Sequence, residues 1–358
     1  MATLLRYYKF SLAFTAICFG LGLWYGIAST GTLSGVLEIL WIILILSILE
    51  VSLSFDNAVV NASILKEMDE KWQQRFLVWG IAIAVFGTRI VFPLAIVAIA
   101  AGIGPLQAID LSLNDPARYE EIVSGAHVGI AGFGGAFLAM VGLRFFFDAD
   151  KDVHWIDVVE RNLSKVAVLP AIEIGALLIV LWLISLQLPA EEALTFLTAG
   201  VLGLVTYIAV DALGEYLNLR EETRKNASGE VMRSGLGGFL YLEVLDASFS
   251  FDGVIGAFAL SNNMVIIALG LSIGAMFVRS MTIHLVRKGT LSEYRFLENG
   301  AFWAIIVLGG IMLTSAVLHI PETITGLIGG GLIGISFWWS VRHNRREAEK
   351  LKQALTSD

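Results

Sequence analysis

Cysteine is almost absent: Cys18 is the only one in 358 residues. An intramolecular disulfide, a CxxC redox pair and a Cys/His zinc site are therefore excluded, and thiol-based electron transfer with them. Charge is scarce too. Charged residues make up 16% of the chain against 56% hydrophobic ones, and the mean hydropathy is +0.76. A soluble chain carries roughly a quarter charged residues. Catalytic machinery is also missing, since no nucleophile–base constellation and no open zinc site is visible. The glycines at 132, 134 and 135 and at 329 to 331 lack the adjoining Lys-Ser/Thr and the strand of a phosphate loop. Close helix packing is their expected role. Neither an enzyme nor a nucleic-acid partner is expected.

What the chain has instead is repeated apolar runs of membrane-spanning length. We read ten, at about 9–28, 35–65, 77–101, 126–147, 167–186, 192–212, 235–262, 264–286, 299–318 and 322–341. The second and seventh exceed what a bilayer needs, which predicts tilt or a break. Basic residues are concentrated in alternate loops. Lys66, Lys71 and Arg75 follow the second run, and Arg220, Arg224, Lys225 and Arg233 the sixth, whereas "STGTLSG", "QLPAEE", "LSNNM" and "LHIPET" contain none. The positive-inside rule then puts both termini in the cytoplasm. Arg6 and Lys9 before the first run, with "IAST" after it, imitate a signal peptide; an uncleaved anchor is expected.

Two segments repeat. "LEVSLSFDNAVV" (49–60) aligns with "LDASFSFDGVIG" (245–256), setting Glu50 on Asp246, Ser54 on Ser250 and Asp56 on Asp252. The following run repeats as well, "GIAIAVFGTR" (80–89) on "GLSIGAMFVR" (270–279), with Arg89 on Arg279. The loop charges send the second run inward and the seventh outward, so the two three-helix repeats are inverted, as in many secondary transporters. The expected fold is an all-α polytopic membrane protein of about ten helices, with two inverted three-helix repeats and broken helices at the midplane. Its parts are an N-terminal helix (1–30), the first repeat (31–150), a connecting helix pair with cytoplasmic loops (151–233), the second repeat (234–318), and a last helix with a cytoplasmic tail (319–358).

A carboxylate at a helix centre costs about 2.5–3.5 kcal/mol on insertion scales, so four of them facing lipid would cost on the order of 10 kcal/mol. Glu50, Asp56, Asp246 and Asp252 must face an interior. A spacing of six turns the second acid of each motif about 240° from the first, so the two converge only if the helix unwinds between them. Ser54 and Ser250 fit such a break. Carboxylates, hydroxyls, the Asn57 amide and freed carbonyls form an all-oxygen ligand set suited to Mg²⁺, Ca²⁺ or Mn²⁺. The competing reading pairs the acids with Arg89 and Arg279 as buried structural ion pairs. Four acids less two arginines leave two negative charges, and Glu243 adds a third. Elsewhere, Glu173 and Asp211 read equally as vestibule residues or solvated helix ends, and His127, His284 and Glu38 as interfacial.

Glu50-x-x-Leu53-Ser54-x-Asp56-Asn57 resembles the first signature of the TerC family of integral membrane proteins. Glu243-x-x-Asp246-x-x-Phe249-x-x-Asp252 resembles its second. The likeness is to the longer DUF475-type branch, within the LysE transporter superfamily, and covers roughly residues 35–310. It implies a bacterial inner-membrane, multi-pass protein associated with manganese export and tellurite resistance. It also implies a cation site built from Glu50, Asp56, Asn57, Glu243, Asp246 and Asp252, with Ser54, Ser250, Arg89 and Arg279 in support. No tightly bound cofactor is expected; a divalent cation, Mn²⁺ or Ca²⁺, is the substrate. Lipid is a partner, and a homo-oligomer or the proteins of a stress-response complex stay open. So do two other functions, a membrane scaffold with structural acids and an amino-acid exporter. The sequence departs from the family pattern at Gly253, where a small hydroxyl residue is usual, and at Ile255 and Gly256, where a proline is missing.

Overall fold

The computed structural model describes residues 2–66, 68–80, 82–147, 153–166, 171–225, 235–258, 260–318, 320 and 322–357. The side chains at 2–6, 77, 78, 100, 164–166, 217–225, 249–252, 255, 292, 322, 323, 348 and 350–357 lie outside the description. Ser250 and Asp252, two of the expected site residues, are among these.

The described parts of the apolar runs are helical over most of their length, because in hydrocarbon a helix alone satisfies its own backbone groups within one segment. In chain order the helices are α1 (Ala2–Thr30), α2 (Leu33–Leu53), α3 (Phe55–Leu65), α4 (Glu70–Arg75), α5 (Phe92–Ala101), α6 (Pro105–Asn114), α7 (Pro116–Gly125) and α8 (His127–Phe146). They continue with α9 (Asp157–Val166), α10 (Ile172–Ser185), α11 (Ala190–Lys225), α12 (Gly235–Ala257), α13 (Met264–Lys288), α14 (Thr290–Glu293), α15 (Leu297–Ser315) and α16 (Glu322–Ser357). Two wider π-helical segments, Phe76–Gly80 and Ile83–Val91, lead into α5. The ends carry local signals: Thr32 caps α2 by accepting from Gly35 N at 3.2 Å, Asn263 caps α13, and Gly289 ends α13 with φ +65°.

Among the described residues, seven helices are long and apolar enough to cross a membrane. The other three runs read from the sequence are also helical but differ in kind. The third is divided between the π segments and α5, α10 has 14 residues, and α12 carries the acids of the second motif. Trp24, Trp41, Trp182, Trp338 and Trp339 are exposed on the outer helices, as expected where the outer solvent is lipid.

The second run breaks where a break was expected, at Ser54, with φ −99° and ψ 19° between α2 and α3. The seventh does not, and α12 is continuous through the second motif. The expectation of a break in both is corrected by the continuous backbone of α12 from Gly235 to Ala257. Glu243 and Asp246 are three residues apart and share a helix face without unwinding.

Two large apolar clusters and a small third one of Leu65, Met68, Phe76 and Leu242 build the described interior. The first large one joins α3, α8, α10, α11, α12, α14, α15 and α16; the second joins α1, α2, α5, α6, α7, α12 and α13. Glycines set the closest approaches. A Cβ on Gly135 would stand 2.9 Å from Leu313 N, and one on Gly132 would stand 2.6 Å from Phe196 O. Here α8 meets α15 and α11 backbone to backbone. Gly330 and Gly331 of α16, by contrast, face open space.

Candidate cation site

The motif acids lie where α2, α3, α12, α13 and the π segment at 83–91 meet. Glu50 sits in the last turn of α2 and is 3% exposed. Arg89, equally buried, donates through Nη2 to Glu50 Oε1 and through Nη1 to Thr88 Oγ1 at 2.7 Å. Ser54, at the helix break, donates to the same carboxylate at 3.2 Å. Two glycines make room for it. A Cβ on Gly253 would stand 2.9 Å from Glu50 Oε2, and one on Gly274 would collide with the Glu50 Cβ and Cγ. The departure at Gly253 thus lies directly against Glu50.

The second motif forms a similar group around Arg279 of α13. Its Nη2 is 3.4 Å from Glu243 Oε1 and 3.5 Å from Asp246 Oδ2. The guanidinium carbon lies 3.9 Å from the Phe76 ring centroid, a cation–π contact that replaces some of the lost hydration. Gly80 abuts this group, so that a Cβ there would stand 2.6 Å from Glu243 Oε1. The two groups correspond in register: Glu50 meets Arg89, and their counterparts Asp246 and Arg279 meet each other. A second match runs between the repeats. Ser47 of α2 donates to Gly270 O of α13 at 3.1 Å, while their register partners Glu243 and Gly80 are also neighbours.

Asp56 stands apart from both arginines. It begins α3, accepts from Asn57 N at 2.9 Å, and packs on α16, where a Cβ on Gly329 would stand 2.8 Å from its Oδ2. Asn57 is buried, and its Oδ1 has no partner. One turn on, Asn61 extends the site beyond the residues read from the sequence. Its Nδ2 is 3.5 Å from Asp246 Oδ1, linking the first repeat to the second motif, and its own Oδ1 is unpartnered. The signal was available, since two amides four residues apart share one face of an apolar helix. Glu243 Oε2 is a third buried oxygen without a partner. Among the described residues, no group of three or more His, Cys, Asp or Glu side chains converges as a metal cluster. The described motif acids are instead divided between two arginine groups and Asp56.

Ser52 and Ser248 bond back to their own helices, at Ile48 O and Val244 O. His127 contacts Ser315 O at 3.2 Å, and His284 stacks on Tyr7, both away from the acids. Glu173 lies 3.7 Å from Arg144. A cavity of about 310 Å³ among α5, α8, α11, α12 and α15 reaches Glu243 past Phe133, Thr206 and Met312.

Fold and site together define a class, an apolar helical membrane protein with buried carboxylate–arginine groups on its inner helices. Within that class the chain belongs to the DUF475 family, described as a protein of unknown function, whose pattern matches residues 55–347. That span takes in Asp56, Arg89, Glu243, Asp246 and Arg279 and begins just after Glu50 and Ser54. No curated protein and no solved structure matches the chain.

Proposed function

We propose that the protein is a secondary transporter that exports a divalent cation, with manganese as the candidate ion, by alternating access at a midplane carboxylate site. The observation that carries this reading is a buried charge surplus around the two repeated motifs. Glu50, Asp56, Glu243 and Asp246 are each less than a tenth exposed, and among the described residues Arg89 and Arg279 are the buried cations beside them. Four negative charges less two positive ones leave two negative, and Asp252 of the second motif adds a third, a surplus that a divalent cation together with protons would neutralise. The unpartnered oxygens of Asn57, Asn61 and Glu243 supply further acceptors without sulfur or imidazole, a set suited to hard cations. The register-matched acid–arginine pairs support two repeats, while the alternating loop charges are what favours their inversion, ten spans and cytoplasmic termini. In this reading the family resemblance to TerC and LysE proteins describes function as well as sequence. Carboxylates that release a metal can take up protons, so proton exchange is the natural coupling.

Asp56 and its register partner Asp252 test the site, since Asp56 belongs to neither described arginine pair. In a manganese-sensitive host, Asp56→Asn or Asp252→Asn should abolish protection and Mn²⁺ efflux while membrane insertion is unchanged. Full activity in both variants would remove the proposed site.

A second reading has its own observation. Both arginines already pair with motif acids, as a membrane scaffold with structural acids requires. It predicts acid-to-amide variants that lose stability or partner recovery and no ion flux from purified protein.

A further inference from the structure

Each guanidinium occupies carboxylate oxygens that a transported cation would need. Arg89 takes Glu50 Oε1, and Arg279 is shared between Glu243 Oε1 and Asp246 Oδ2. Neither arginine is fully satisfied there. Arg89 Nε and Arg279 Nε and Nη1 are buried with no partner, although five donors per guanidinium normally make this side chain the best anchor for a fixed ion pair. The surroundings are built around the charge. Gly80 has no side chain where Arg279 and Glu243 meet, Gly274 has none against Glu50, and Phe76 offers its ring face to Arg279. A ring face holds a cation through its quadrupole without hydrogen-bond geometry, so Arg279 keeps a resting surface if its carboxylates turn elsewhere.

We propose that Arg279, and Arg89 in the matching place, are tethered cations that compete with the transported ion for the motif carboxylates. In the ion-free protein they neutralise two of the acids and so reduce the unpaired buried charge the site must hold. When the ion arrives it displaces a guanidinium, and when the guanidinium returns it helps to expel the ion. The arginines are therefore positioning residues that weaken equilibrium binding and favour release. The inference rests on the cation-transport reading above and deepens it.

Mn²⁺ binding to purified wild-type protein, Arg279→Gln and Arg89→Gln, with thermal unfolding of each with and without Mn²⁺, separates the two ideas. The expected result is binding about tenfold tighter in at least one glutamine variant than in wild type, with a larger Mn²⁺-induced rise in Tm. Folded variants that bind Mn²⁺ as wild type does, or more weakly, would overturn the inference and leave the transport reading standing. So would two variants that fail to fold and are not restored by Mn²⁺, because an ion should replace its own competitor and cannot replace a purely structural counter-ion. Absence of Mn²⁺ binding in wild type and in both folded variants would sink the transport reading itself.

Discussion

At the scale of single residues, the site depends as much on missing side chains as on charged ones. Gly274 of α13 meets the Glu50 stem, whereas Gly330 of α16 meets nothing within 4 Å. Gly274→Leu should therefore force Glu50 or α13 to move, costing about 1–3 kcal/mol, as overpacking does in a filled interior. Gly330→Leu should leave stability unchanged. Thermal unfolding of the two variants in one detergent checks the contrast, and equal Tm values would contradict the described approach of α13 to α2. The same scale explains which part of the site the sequence revealed. Acids in an apolar run are conspicuous because their insertion cost is paid residue by residue. Gly80 and Asn61 are inconspicuous because a glycine or an amide signals nothing until a partner from a distant segment faces it.

At the scale of elements, the two motifs solve one problem in two ways. α2 gives up its regular path at Ser54, which lets Asp56 open a new helix against α16 and leave Glu50 to Arg89. α12 stays intact because a spacing of three already aligns Glu243 with Asp246. The π segment at 83–91 bears Arg89; one extra residue in such a turn rotates the downstream helix by roughly 100°. No reading of hydropathy would predict that rotation, since it leaves the apolar content unchanged. A further element owes its place to one acid. Glu160 of α9 is 1% exposed and accepts from Ile156 N at 3.0 Å, Asn299 Nδ2 at 2.8 Å and Trp303 Nε1 at 2.9 Å. It fastens the short amphipathic α9 to the start of α15. Hydrogen bonds to a charged group are worth about 1.5–3 kcal/mol each, so Glu160→Leu should free α9. Hydrogen exchange should then rise over residues 155–166 while α13 remains protected; unchanged exchange in α9 would refute the anchoring role.

At the scale of the whole molecule, the inverted-repeat reading makes a prediction about sides. Cys18 is the only cysteine and is buried, so single-cysteine variants in a Cys18→Ser background report their own positions. Thr32→Cys and Gln187→Cys should react with a membrane-impermeant maleimide applied from outside intact cells. Lys288→Cys should react only after the membrane is opened. If position 288 labels from outside, or 32 and 187 from opposite sides, the two repeats are not inverted as the loop charges require.

The helices, their apolar outer faces and the interior position of the acids follow from the sequence alone. Each depends on a local sum along the chain: hydropathy over a span, backbone groups that must be satisfied within it, and a carboxylate that lipid cannot accept. The arginine partners were also legible as candidates, being the only cations that repeat in register with the acids. Which oxygens each arginine holds, why only one motif helix breaks, and why Asp56 sits apart on α16 were decided by the tertiary structure. These depend on where helices cross, and the crossings are set by glycine contacts and a π-helical turn whose partners lie far away in the sequence.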